Sequence, residues 1–255
     1  MDKLIIKNNF SKSAGTYDKY AVIQKSCAEK LASLCPLKTP RRILEIGCGT
    51  GVYTELLRKK YPGAALTAVD ISGEMIDEAR RNVPGQVEFM EADAERAEFD
   101  GRFGLVTSNA SFHWFNEPGL AFKRFAGMLS EDGELHFSIY GPRTFTELDE
   151  ILSERLEKRK WLYASGFMDA WTLATSLSGS FAEVDIKEEF YPQECGSLLG
   201  LMKGIKLTGT KAQGIEPKLF MGKGLVKELE AAYLKKYGSI IVTHHVFFVN
   251  ARGML

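Results

Sequence analysis

Leu44-Glu45-Ile46-Gly47-Cys48-Gly49-Thr50-Gly51 is the stretch on which the reading of this chain turns. Residues 42–46 read as a strand and 52–60 as a helix, so the three glycines lie in the turn between them. Glycine lets the backbone turn tightly and approach a ligand closely, and the helix start that follows offers unpaired N–H groups. Alone, such a turn is a weak signal, because it also serves dinucleotides and sometimes nothing at all. Its G-x-G-x-G spacing differs from the G-x-G-x-x-G of the NAD fingerprint.

Outward from the loop, strand and helix signals alternate. Strands are expected at 65–70, 87–91, 104–108 and 134–139, and helices at 73–82, 117–129 and from 144 to about 160. Ser72 is an N-cap candidate, and Thr144 with Glu147 has capping-box spacing. Before the loop, Tyr20, Ile23, Cys27, Leu31 and Leu34 mark an amphipathic helix that Cys35-Pro36 ends. Near the end, 184–191 and 240–250 read as strands with helices at 197–206 and 225–237 between them, compatible with an antiparallel edge strand. The expected fold is α/β: a Rossmann-like, mostly parallel sheet with helices on both faces, an N-terminal helix and a small helical insertion.

The bulk properties bound the rest. The chain has 255 residues, 45% of them hydrophobic and 26% charged, which fits one globular domain. Within it a lid helix is expected at about 10–35, a cofactor-binding core at 41–140 and a substrate region at 141–255. A net charge of +0 gives no global pull toward nucleic acid or anionic lipid. No apolar run is long enough for a bilayer, and the first residues lack a signal-peptide pattern, so a cytoplasmic protein is expected. Cys27, Cys35, Cys48 and Cys195 form no C-x-x-C pair, so neither disulfides nor a metal site is expected.

Three acidic positions sharpen the loop. Glu45, at the strand end, suits a cationic amino group, which S-adenosylmethionine (SAM) carries and NAD does not. Asp70, at the end of the second strand, is placed to take both hydroxyls of a ribose, with Ile71 and Met75 as walls for an adenine. That position serves NAD and SAM alike, and the same residues also suit a helix cap and a core. Asp93 with the N–H of Ala94, after the third strand, suits the adenine amino group and ring nitrogen, where the plain alternative is a solvated acidic loop.

Together these features resemble the class I SAM-dependent methyltransferases over residues 41–140. The resemblance implies a seven-stranded sheet with an antiparallel last strand. It implies that Gly47, Cys48, Gly49 and Gly51 wrap the amino-acid part of SAM, that Asp70 holds the ribose and that Asp93 holds adenine. The segment after the fourth strand, Ser108-Asn109-Ala110-Ser111-Phe112-His113-Trp114-Phe115, has neither the proline pair of N6-adenine enzymes nor a Pro-Cys nucleophile, which disfavours nucleic acid as substrate.

This segment, with Phe10-Ser11-Lys12-Ser13-Ala14-Gly15-Thr16-Tyr17-Asp18, Asp93-Ala94-Glu95 and Gly141-Pro142-Arg143-Thr144-Phe145-Thr146-Glu147-Leu148, is similar to the malonyl-acyl carrier protein O-methyltransferases of biotin synthesis. The similarity implies that Tyr17 and Gln24 cover SAM, that Asn109 lies at the cofactor, and that Tyr17, His113 and Trp114 face the substrate. His113 departs from the glutamine frequent at its position, and 206–223 matches less clearly. The implied partner is an acyl carrier protein bearing a malonyl thioester. Its carboxylate is already ionised at pH 7, so no catalytic general base is expected. Arg143 is the candidate for holding that carboxylate, with a solvated surface residue as the even alternative. Eight lysines between Gly196 and Gly238 (203, 206, 211, 218, 223, 227, 235, 236), and a second basic cluster at 155–160, would suit an acidic carrier protein.

Three rival readings share parts of this pattern. A methyltransferase of another small acid or quinone would have the same SAM motifs. An NAD oxidoreductase would need a longer glycine spacing and a Tyr-x-x-x-Lys, which the chain lacks. A protein that binds SAM without catalysis would show no turnover.

Overall fold

The computed structural model describes residues 2–35, 38–156, 163–210 and 223–255. Five strands run parallel: β1 (Arg42–Ile46), β2 (Ala65–Asp70), β3 (Glu88–Glu91), β4 (Phe103–Asn109) and β5 (Leu129–Tyr140). Two long strands complete the sheet, β6 (Phe181–Cys195) and β7 (Ile240–Met254). The order is β3-β2-β1-β4-β5-β7-β6, with β7 antiparallel to both neighbours.

The antiparallel last strand is therefore present, but it is not an edge. The reason lies in its residues. Val246 and Phe248 are buried on one face, and Phe247, Val249 and Ala251 on the other. A strand apolar on both faces belongs inside a sheet. In β6 exposed and half-buried residues alternate, and Pro192 removes one donor, so β6 suits the edge.

Helices cover both faces. On one side α2 (Val22–Leu34) and α3 (Val52–Lys60) pack Ile23, Cys27, Leu31, Tyr53 and Leu57 against Ile43 and Leu105. Beside them α4 (Gly73–Asn82) starts at Ser72, whose Oγ accepts the Met75 N–H at 3.2 Å, as the sequence predicts. On the other side α5 (Pro118–Ala126) and α7 (Ala170–Ser178) enclose a core of Phe112, Phe122, Phe125 and Phe137. A third cluster joins α6 (Thr146–Leu156), α8 (Leu198–Leu207) and α9 (Lys223–Tyr237) to the start of β7. The two described helices between β6 and β7, α8 and α9, form the expected insertion.

The leading helix is in fact two. Ahead of α2 lies α1 (Lys3–Tyr20), and the two meet at the fully buried Ala21. Asp2 caps α1 by accepting the Leu4 N–H at 2.8 Å. Asn8, Asn9, Ser11, Ser13, Gly15 and Thr16 are weak helix formers, so tertiary contacts rather than propensity hold this segment. Among the described residues no helix is long and apolar enough to cross a membrane.

Candidate functional site

Strand order reverses around β1, and a cleft opens at the C-terminal ends of β1, β2 and β4 beneath α1. The glycine loop forms its floor. The N–H groups of Gly47 and Cys48 both donate to the Val69 carbonyl, at 2.7 and 3.0 Å. Asp70 then fixes the loop from the side, accepting the Gly49 N–H at 2.9 Å and the Ser72 N–H at 2.9 Å. Burial raises the Asp70 pKa, and these N–H groups oppose that rise by stabilising the carboxylate. Asp70 still lines the cleft, so it supports the loop and faces the cleft at once.

The cleft brings together Tyr17, Gly47, Gly49, Asp70, Ile71, Met75, Asp93, Ala94, Asn109 and Trp114. Cys48 and Gln24 line a smaller pocket on the far side of the loop, which Tyr17, Gly47, Gly49 and Asn109 share. Asn109 also works as a tie: its Nδ2 donates to the Gln24 carbonyl at 3.0 Å, and its Oδ1 accepts from Ser138 Oγ at 2.8 Å. It thus pins α2 to the end of β4.

Four expected residues lie elsewhere. Gly51 lines neither space. Its backbone has φ +90°, and a β-carbon there would stand 2.5 Å from Val83 Cγ2 and 3.2 Å from the Ala79 Cα, so it permits α3 to pack on α4. Glu45 is buried within the sheet between Ala68 and Thr107, and its Oε2 has no hydrogen-bond partner. Burial pushes its pKa up to about 8.

His113 is sealed behind Trp114, among Trp114, Tyr140 and Phe167, and burial pushes its pKa down to about 3. Burial thus keeps this ring uncharged at neutral pH. Arg143 is not brought to the cleft. Its guanidinium pairs with Glu188 of β6 at 2.7 Å, lies over the Phe190 ring and is largely exposed. One nitrogen of the fork that suits a malonyl carboxylate is already engaged by a protein carboxylate.

Sequence reasoning placed Tyr17 of α1 at the cofactor but missed the rest of that helix's contribution. Lys3, Ile6 and Phe10 line the cleft, and Phe10 meets Trp114 edge-on at 5.3 Å. Lys3 pairs with Glu95 and, at 3.6 Å, with Asp93. Lys7 reaches Glu91 at 2.6 Å, and Asp18 accepts from Thr50 Oγ1 at 2.6 Å. The signal was the spacing of Ile6, Phe10 and Tyr17, which places them on one helical face.

Of the expected basic residues, Lys203, Lys206, Lys227 and Lys235 are exposed on α8 and α9. Lys236 is neutralised by Glu150 and Glu154, at 2.7 and 2.6 Å. Lys211, Lys218 and residues 157–160 lie outside the described residues, as does the Lys223 side chain.

A family model described as a methyltransferase domain matches residues 43–133. The malonyl-[acyl-carrier protein] O-methyltransferase of Acetivibrio thermocellus is 32% identical, over 100% of this chain and 95% of that protein. Malonyl-[acyl-carrier protein] O-methyltransferase 1 of Ilyobacter polytropus is 29% identical, over 98% of this chain and 94% of that protein. Among solved structures, the YcgJ protein of Bacillus subtilis matches with a TM-score of 0.60 at 16% identity, over 89% of this chain and 97% of that one. The plantazolicin methyltransferase BpumL, solved with SAH, matches with a TM-score of 0.53 at 18% identity, over 98% of this chain and 97% of that one. At such identities these two structures speak for the fold.

Proposed function

Because the chain belongs to the malonyl-[acyl-carrier protein] O-methyltransferase family, we propose that it methylates the free carboxylate of a malonyl group carried by acyl carrier protein. The methyl ester so formed primes the pimeloyl chain of biotin. SAM is the methyl donor, and it supplies a methyl group on a positively charged sulfur.

The residues of the cleft fit that donor. The observation that carries the reading is Asp70, which holds the glycine loop with one face and opens to the cleft with the other. Gly47, Cys48 and Gly49 would hold the amino-acid part. Glu45, buried in the sheet and held mostly in its neutral form by burial, lines neither space. Asp70 would take the ribose hydroxyls, Ile71 and Met75 would flank the adenine, and Asp93 with Ala94 would read its edge. Phe10, Trp114 and Phe115 line the cleft and would help keep water from bound SAM, which favours a reaction in which two opposite charges cancel.

The chain's task toward the acceptor is alignment rather than proton transfer. A carboxylate with an ordinary pKa near ~4 is ionised at pH 7. The exposed lysines of α8 and α9 are the proposed docking face for an acidic carrier protein.

Methyl transfer from labelled SAM to malonyl-, succinyl- and acetyl-carrier protein tests the reading. Malonyl is expected to be the best acceptor and acetyl, which has no carboxylate, inert. Labelling of acetyl as fast as malonyl, or of neither, would sink it. Arg143→Ala gives a second test. Since Arg143 is engaged by Glu188 and exposed, the variant is expected to keep kcat/KM for malonyl thioester within about threefold, in line with a surface substitution of about 0.5 kcal/mol. A loss of a hundredfold would return Arg143 to the acceptor site.

A further inference from the structure

A second cavity lies beyond the methyl-donor cleft, against the C-terminal ends of β5 and β6 and the early part of β7. Tyr20, Gln24, Tyr140, Thr144, Gln193 and His244 supply its polar wall, and Leu201, Gly204 and Ile205 of α8 its apolar one. Gln24 also lines the pocket behind the glycine loop, so the two spaces share a side chain. Tyr140 stands 4.9 Å from the His113 ring, which in turn stands 5.2 Å from Trp114 of the cleft.

Two buried polar atoms on this wall have no partner among the described residues. They are Tyr140 Oη and His244 Nδ1, on residues only 3% and 6% exposed. Burying such groups unpaired is costly, so each calls for an explanation. The backbone adds a third observation. Ala110 and Phe145 are the two described non-glycine residues with positive φ, at 50° and 63°. Ala110 lines the cleft and Phe145 lines the second cavity. Strain of this kind collects at ligand sites.

We propose that this second cavity is the acceptor pocket, in which Tyr140 donates to the malonyl carboxylate and the thioester arm runs along α8. The proposal rests on the function given above. Among the described residues the cavity's lining holds no charged side chain. A neutral donor suits the chemistry better than an arginine, because a charge-assisted fork binds carboxylate oxygens more strongly and withholds their electrons from the methyl group. Burial raises the Tyr140 pKa and holds the His244 ring neutral. Tyr140 therefore keeps its O–H. His244 Nε2 lies 3.1 Å from Gln193 Oε1, and a turned Gln193 amide would free Nδ1–H as a second donor.

The cavity contains its own reporter. Cys195 lines it and is half-buried, whereas Cys27, Cys35 and Cys48 are buried. With SAH present, saturating malonyl-pantetheine is expected to slow alkylation of Cys195 by N-ethylmaleimide at least fivefold, and acetyl-pantetheine less than twofold. Tyr140→Phe is expected to remove that protection and raise KM for malonyl thioester about tenfold or more, with SAM affinity within twofold. Gly204→Leu is a second variant that does not touch the core. A β-carbon at Gly204 meets nothing within 4 Å, so the added side chain fills the cavity, and the same rise in KM is expected.

Equal alkylation with and without malonyl-pantetheine, in a wild type that methylates it, would place the acceptor elsewhere and overturn the proposal. Equal protection by acetyl-pantetheine would overturn the role of Tyr140. Selective protection by malonyl in a wild type that transfers no methyl group would support the pocket and count against the proposed reaction.

Discussion

Gly47→Ala is expected to weaken SAM binding about a hundredfold or more, from a single added methyl group. A β-carbon at this position would stand 2.2 Å from Ser111 Oγ and 2.5 Å from Ser111 Cβ. Rotating the hydroxyl clears the first contact but not the second, so the backbone at Ser111 or the loop itself must move. The residue also has φ +71°. An L side chain in that region costs ~1–2 kcal/mol, and overpacking typically ~1–3 kcal/mol. At ~1.4 kcal/mol per decade, a combined ~3 kcal/mol is about two decades of affinity. Gly47 and Ser111 both line the cleft, so either route of relief deforms it. Titration calorimetry with SAM reads the loss. Gly47→Ala/Ser111→Gly removes both close contacts and leaves only the φ strain, so it is expected to recover about tenfold. Affinity of the single variant within threefold of wild type would show that the loop can shift without harm.

That clash marks where the sequence stops being legible. The glycine loop, the Ser72 cap and the strands around them announce themselves because their signals are local: a turn, a capping hydroxyl, a period. Ser111, the residue that makes Gly47 indispensable, lies 64 positions away and carries no signal of that role. Glu45 shows the same limit at short range. It adjoins the loop in sequence, but side chains alternate along a strand, and this one is buried in the sheet instead of lining the cleft. Arg143 sits at the expected end of β5, yet Glu188 and Phe190 on β6 decide where its guanidinium goes. The second cavity draws Tyr140, Gln193 and His244 from three strands that become neighbours only when β7 inserts between β5 and β6. For the first turns of α1, ahead of the lid helix expected from about residue 10, the local signal was too weak, and packing against α4 and α8 supports the helix.

The histidines carry the second large effect. All four are pushed below the ordinary value of 6.5, with burial as the main cause: His113 and His244 to about 3, and His136 and His245 in the same direction. Below pH 6.5 the unfolded chain takes up protons that the folded one refuses, so stability falls as pH drops. Glu45 acts with the opposite sign. Its pKa, raised from 4.5 to about 8, lets the folded chain keep a proton that the unfolded one releases, which offsets about one histidine between those values. Near pH 5.5 His113 and His244 account for about two protons and Glu45 takes back about one, which leaves a loss on the order of 1–2 kcal/mol between pH 6.5 and 5, and His136 and His245 add to it in the same direction. That is an appreciable part of a typical stability of ~5–15 kcal/mol. Urea midpoints at pH 7, 6 and 5 should fall accordingly, and His113→Phe, which keeps an aromatic ring beside Trp114 and Tyr140, should make the fall shallower. A midpoint unchanged from pH 7 to 5 would refute the balance. The consequence for activity follows directly. Under the proposed reaction, which transfers no proton, the acid limb of turnover is expected to be an unfolding limb, moving to higher pH when urea is added. A limb that stays fixed while the unfolding midpoint moves would reveal a titrating group in the chemistry itself.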